Sequence, residues 1–398
     1  MKTRHVSANR IFTLSGKAID CGQITFNQET GEIIEIDPRP ISDHEKQNVE
    51  FYNGIIVPGF VNAHTHLELS NMKDVLTPGS HLIDFLLGID KMRCKPANAE
   101  ECIKIADLYM WRHGISAVCD ICNTALTAQT KSQSKIKYKN CIELIGTTLQ
   151  RIEKDKIQYE TVKSEFLKNG IKEIDIRAVA HAPYSVSPQL FEVINLLNTN
   201  KSLYTIHNQE SESENEMYRY GKGDIKESFP LAGIDTEPIP VTGKSSLQSC
   251  ADYFREYQNV ILVHNTFTSV EDALFATQLI KNIYWCLCPK SNLLLEHTLP
   301  SDNLLRCKDL KFVIGTDSLS SNNKLDILDE MLTIQNNYSF VNFDFLIEAA
   351  CKNGAEALNL QDSLGTIEKG KTPGLVYIDN FDLINNKITS NSNATRII

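Results

Sequence analysis

Hydrophobic and polar positions divide the chain into three stretches. Residues 1 to about 55 alternate with period two in short runs, Asn9–Leu14, Gln23–Phe26 and Glu32–Ile36, separated by turn residues. Alternation of this kind predicts half-buried strands of a small β unit. From residue 56 the runs become almost continuously apolar: Val57–Val61, Ala117–Ile121, Asn140–Ile145, Ile174–Ala180, Ser202–Ile206, Val260–Val263, Tyr284–Leu287 and Phe312–Ile314. Between them lie helical patterns at Glu100–Trp111, Thr161–Lys168, Gln189–Leu197, Val270–Ile280 and Lys324–Ile334. Short apolar strands alternating with helices predict an α/β fold, specifically a parallel (β/α)8 TIM barrel. Leu364–Ile378 returns to strand-and-turn chemistry. The simplest assembly joins both chain ends, 1–55 and 365–398, into one small β-sandwich domain beside a barrel at 56–364. The polar tail around Ser390–Ala394 reads as frayed.

A chain of 398 residues suits a barrel of roughly 250 residues with added structure. A net charge of −10 argues against a nucleic-acid backbone or an anionic membrane surface as partner, but leaves room for a small-molecule substrate. No segment has the length of a signal peptide or membrane span, so the expected location is cytoplasmic. Eleven scattered cysteines fit reduced thiols better than a disulfide framework. Cys119 and Cys122 have redox or zinc-knuckle spacing, yet no second pair matches them, and they read as buried thiols. The oligomeric state is open, a homodimer being one option.

The polar residues that stand out lie where predicted strands end. His64 and His66 follow Val57–Ala63 one residue apart, and residues i and i+2 of a strand share a face. His181, His207, His264 and Asp317 also fall at or just past strand ends. In a (β/α)8 barrel these ends open on one face, so distant positions converge. His64, His66 and His207 with Asp317 then form a nitrogen-and-carboxylate set for one divalent metal per chain, zinc foremost, with iron or manganese as alternatives. Glu210, three residues after His207, is the candidate proton carrier. Alone it reads as a solvated acid of the Glu210, Glu212, Glu214, Glu216 run; its offset from His207 distinguishes it.

These segments resemble the amidohydrolase superfamily. Pro58–His66 is similar to its strand-1 signature, His181–Ser185 to strand 4, His207–Glu210 to its His-x-x-Glu, and Val263–Thr266 to strand 6. Cys288–Leu295 resembles strand 7, Gly315–Ser318 strand 8, and Leu364–Lys371 the closing segment of the small domain. The similarity is strongest to the mononuclear branch of cytosine, guanine and adenosine-type deaminases and triazine chlorohydrolases, and His66–Ser70 resembles aminofutalosine deaminases. The resemblance implies metal ligands at His64, His66, His207 and Asp317, Glu210 as proton shuttle, and His264 as the residue that orients water, with Asp317 or His264 taking a second proton. His181, Asp84 and Asn292 are the implied substrate contacts. The implied reaction is hydrolytic deamination of an amino-substituted heterocycle or nucleoside-like compound by water activated on the metal. Hydrolysis of a cyclic amide or a C–Cl bond is the alternative, and a non-catalytic barrel is a third.

Two departures stand out. Asn208-Gln209 occupies a place where the deaminase pattern usually has smaller residues, and Thr372–Leu375 replaces the usual Ala-Asp. The stretch 211–249 exceeds an ordinary loop and is expected to cover the pocket, with Lys244 facing the ligand.

Overall fold

The computed structural model describes residues 2–41, 45–73, 82–83, 85–86, 88 and 98–398. Strands β1 (Thr3–Ile11), β2 (Ile19–Asp20), β3 (Gln23–Asn27), β4 (Ile33–Asp37) and β5 (Glu50–Pro58) come first. Then follow β6 (Phe60–Thr65), β7 (Ile115–Cys122), β8 (Lys137–Leu144), β9 (Ile176–Ala180), β10 (Leu203–Asn208), β11 (Asn259–His264), β12 (Ile283–Leu287) and β13 (Lys311–Ile314), and finally β14 (Leu375–Asp379) and β15 (Ala394–Arg396).

Both chain ends build one sheet, in the order β15-β14-β5-β1-β3-β4 with β2 beside β1. Its apolar face packs Val6, Ile24, Phe26, Ile33, Ile56 and Leu375 into a core of its own. The tail expected to fray is held instead: β15 pairs with β14, and the Arg396 guanidinium donates to the Trp111 carbonyl at 2.8 Å.

The run Val57–Val61, expected as one strand, is split at Pro58-Gly59. β5 belongs to the terminal sheet, pairing Val57 with Val376, and the first strand of the parallel region begins only at Phe60. Gly59 is required at the break, because a Cβ there would lie 1.9 Å from Ser116 Oγ and 2.5 Å from the Pro373 carbonyl.

The middle of the chain forms two four-stranded parallel sheets, β6-β7-β8-β9 and β10-β11-β12-β13. Their residues are buried on both faces, as helix-covered parallel sheets require. Side-chain parity separates two cores: Ala117, Cys119 and Ile121 pack with Val61, Val263 and Val313, whereas Val118 and Cys122 pack against the helices. Cys119 and Cys122 therefore point to opposite faces and cannot share an ion. Backbone hydrogen bonds link the two sheets at both seams. His207 N donates to the His181 carbonyl at 3.0 Å, and the Thr316 and Asp317 amides donate to the His64 carbonyl at 3.1 Å.

Helix starts follow their caps. The Asp326 carboxylate accepts from the Leu328 and Asp329 amides at 3.0 and 3.3 Å, so this helix begins at Ile327 rather than at Lys324. Among the described residues no helix is long and apolar enough to cross a membrane. The stretch 211–249 contains short helices, Glu212–Tyr220, Asp224–Ser228 and Ser246–Cys250.

Candidate active site

His64 lies near the end of β6, and His66 follows the strand end. Their rings are 5.0 Å apart, and the His207 ring is 4.9 Å from His64. One ring nitrogen from each of the three lies within 4.8 Å of the others. Burial, followed by the neighbouring imidazoles, with His181 foremost, holds His207 well below the usual imidazole pKa. All the same, neither nitrogen of buried His64 has a hydrogen bond among the described residues. Such a cluster is costly unless something shares its lone pairs.

The surrounding groups aim those lone pairs. His207 Nδ1–H donates to the His181 carbonyl at 2.7 Å, which leaves Nε2 as the free ligand atom. Asp317 Oδ1 lies 3.6 Å from Nε2 of both His64 and His66. Its other oxygen, Oδ2, accepts from Ser291 Oγ at 2.6 Å and Ser321 Oγ at 2.5 Å. Burial alone would raise the Asp317 pKa, but the facing histidines hold it well below the usual carboxylate range. Three nitrogens and one anionic oxygen in this arrangement fit a single divalent ion.

The strand ends carrying these groups are stitched together. Asp317 has a left-handed backbone, φ +56°. The hydroxyl of Thr65 donates to its carbonyl at 2.7 Å. Asn62 accepts from the Thr316 amide at 3.1 Å and donates to the Thr316 hydroxyl at 2.7 Å, tying β6 to the end of β13. Gly315 makes room for His64: a Cβ there would lie 2.9 Å from His64 Cβ and from Cys286 Sγ.

Glu210 and His264 join the same place, with Glu210 Oε1 3.4 Å from His264 Nε2. His264 also has a left-handed backbone, φ +73°. Its Nδ1–H donates to Asn292 Oδ1 at 2.8 Å, and the Asn292 amide returns a bond to the His264 carbonyl at 3.3 Å. Burial pushes His264 down to about 4, so its imidazole is neutral at pH 7. Burial, then the charges of Asp317, Glu296 and Glu214, push Glu210 well above the usual carboxyl range. A raised acid beside a neutral base suits proton transfer near neutral pH.

A cavity opens over this cluster. Polar groups of His66, Glu143, His181, His207, Glu210, His264 and Asp317 line one side, and Leu69, Leu82, Phe85, Leu86, Phe229 and Ile234 line the other. His181 Nδ1 bonds Ser185 Oγ at 2.8 Å. Phe229 and Ile234 come from the 211–249 stretch, which does reach the pocket. Lys244, expected to face the ligand, is exposed and does not line the cavity. Asn292 lies behind His264 and likewise does not line it. Asp84 lies outside the described residues.

Several site residues escaped sequence reasoning. Glu143 lay inside the predicted run Asn140–Ile145, whereas the observed strand ends at Leu144 and brings it to the strand end. Ser291 and Ser321 lay within motifs already singled out, but nothing in the chain marks a serine as the partner of Asp317.

The Amidohydrolase family profile matches residues 55–398, most of the chain and all of these groups. The chain belongs to the amidohydrolase family. Family and donor set together make it a metal-dependent hydrolase acting on carbon–nitrogen bonds. It is 28% identical over 333 residues to an adenosine deaminase of Helicobacter pylori, covering 82% of this chain and 79% of that one. Its fold matches the H. pylori aminofutalosine deaminase in complex with methylthio-coformycin, with a TM-score of 0.80 at 23% identity over 97% of this chain and 93% of that one. It also matches a Xanthomonas campestris adenosine deaminase with bound zinc, TM-score 0.71 at 20% identity, over 94% and 84% of the two chains.

Proposed function

We propose that this protein releases ammonia from an amino-substituted heterocycle of the adenine-nucleoside class, with one divalent ion held by His64, His66, His207 and Asp317. The observation that carries the reading is the meeting of Glu210 and His264 beside that donor set. Zinc is the ion of choice for a three-nitrogen, one-carboxylate set, and the zinc-bound neighbour supports it. When bound, the ion supplies Lewis acidity that brings the pKa of a water to roughly 7.

The chain's own groups divide the proton work. With a cation in the site beside it favouring its carboxylate form, Glu210 would take one proton of the attacking water and give it to the ring nitrogen beside the amino-bearing carbon. His264, neutral and fixed through Nδ1 by Asn292, presents Nε2 to the same water, takes its second proton and passes it to the departing amine. Water and substrate thereby become a ring carbonyl with a protonated ring nitrogen, plus ammonia. Asp317, kept ionised by its neighbours and by two seryl hydroxyls, holds its ligand oxygen in place. The wall from Leu69 to Ile234 covers the faces of the ring and keeps bulk water out. His181 contacts the polar edge of the heterocycle. Asn292 acts through His264 rather than on the substrate.

The two parallel sheets close into a (β/α)8 barrel, a reading supported by the hydrogen bonds across both seams. The terminal sheet is the base of a small β-sandwich domain made from both chain ends, with the barrel beginning after Gly59.

The test is ammonia release by metal-loaded protein from a panel of adenine nucleosides, aminopurines, pterins and cytosine. Release from the adenine nucleosides is expected. Silence across the panel, with turnover of a lactam or imide instead, overturns the deaminase reading.

A further inference from the structure

The departure at Asn208-Gln209 has a structural counterpart. Gln209 stands between a metal-site histidine and the proton shuttle, is fully buried, and has a left-handed backbone, φ +45°. A non-glycine residue is strained in that conformation and keeps it only when its surroundings enforce it. This turn lets His207 and Glu210, three residues apart, face one pocket.

The enforcement comes from the 211–249 stretch and from Phe267 and Asp272 beyond it. The Gln209 backbone amide donates to Glu214 Oε1 at 2.9 Å, and the Glu210 amide reaches Glu214 Oε2 at 3.4 Å. Ser246 Oγ closes on the same carboxylate at 2.5 Å. The Gln209 side-chain amide donates to Asn215 Oδ1 at 2.9 Å and to Asp272 Oδ2 at 3.0 Å. The Gln209 backbone carbonyl accepts from the Phe267 amide at 2.9 Å. Backbone and side chain of this one residue are therefore tied to three separate segments. A smaller side chain at 209 would leave the turn to its backbone alone.

We propose that Gln209 and Glu214 are positioning residues for Glu210: Glu214 clamps the two amides of the turn, Gln209 anchors it, and together they set the distance from the shuttle carboxyl to His264. The proposal rests on the deaminase reading for its kinetic consequence and on the turn alone for its structural one.

Two measurements on the full-length, metal-loaded protein test it. The first is amide hydrogen exchange across 205–214. The native protein protects the Gln209 and Glu210 amides, and Glu214→Gln, which replaces one acceptor oxygen by a donor, speeds their exchange. The second is kinetic. Glu214→Gln and Gln209→Gly each lower kcat by about tenfold or more while KM stays within about twofold and metal content is unchanged. On a Glu210→Gln background, Glu214→Gln costs nothing further, because it acts through the missing carboxyl. Native-like exchange in Glu214→Gln, or an equal loss on both backgrounds, overturns the proposal. Should Glu214→Gln fail to fold, Ser246→Ala weakens the same clamp and is read in the same way. Native protein without ammonia release would sink the deaminase reading, while the exchange measurement still decides the clamp.

Discussion

Replacing Lys131 by methionine will destabilise the fold by about 3–5 kcal/mol. Lys131 belongs to the short helix Ala128–Gln133 and is buried at 6% exposure. Its ammonium pairs with Asp120, which is fully buried near the end of β7, and donates to Asn140 Oδ1 at 2.8 Å. The rings of Tyr138 and Phe166 lie 5.2 and 5.1 Å from Nζ. Methionine keeps most of the stem's volume, so the loss comes from a carboxylate left without its cation in a dry interior. Burial already raises the Asp120 pKa against the opposing pull of Lys131. Without the lysine, Asp120 must take up a proton or stay charged and unpaired. Asp120 also accepts from the Leu67 amide at 2.7 Å, one residue after His66, so the damage reaches the edge of the metal site. The control is the double variant Asp120→Asn with Lys131→Met, in which the carboxamide at position 120 still accepts from Leu67 and no charge is stranded. Neutral replacement of a buried pair is often close to neutral, so the double variant should recover to within about 1.5 kcal/mol of native. Urea unfolding at pH 7, followed by circular dichroism, gives all four corners of the cycle. A Lys131→Met loss below about 1 kcal/mol, or a double variant as unstable as the sum of the two singles, would refute the reasoning.

Three further outcomes follow from the site. Asn292→Asp places a carboxylate on the His264 Nδ1–H; since an opposing charge favours the imidazolium, the His264 pKa rises from about 4 and the acid limb of kcat/KM moves to higher pH by about one unit or more. An acid limb that does not move would show that Asn292 does not set the state of His264. Gly315→Ala forces a methyl against His64 and Cys286 at 2.9 Å, and should cost about 1–3 kcal/mol and lower metal content by displacing His64; native melting temperature with full metal would contradict it. Asp317→Asn removes the anionic ligand and should lose both metal and turnover; full metal and activity would remove Asp317 from the ligand set.

The strands and the clustering of His64, His66 and His207 were readable because both obey local rules. Apolar runs mark parallel strands, and a polar residue at the end of such a run has only the open face of the sheet to occupy. His64, His66, His207, His264 and Asp317 all satisfied that rule; Glu143 did not, because the apolar run there reads on to Ile145 while the strand ends at Leu144. The break at Pro58-Gly59 was less visible, since an apolar run does not say which sheet each half joins; the contacts of Gly59 with Ser116 and Pro373 decide that. Lys131 sits in a polar stretch, Thr130-Lys131-Ser132, that reads as a solvated helix face, and only its tertiary partner Asp120 explains its burial. Asn292 shows the same gap in the site: a polar residue beside a pocket motif reads as a substrate contact, but its hydrogen bonds go to His264 behind the wall. Partner choice between side chains depends on the packed structure, and local pattern carries little of it.

The central claim is that His64, His66, His207 and Asp317 hold one ion, on which deamination depends. The direct measurement is titration of metal-stripped protein with zinc, reading ammonia release from an adenine nucleoside against ions bound per chain. The account predicts activity that rises in proportion and saturates at about one ion per chain. Turnover by the stripped protein, or saturation only at about two ions, would contradict it.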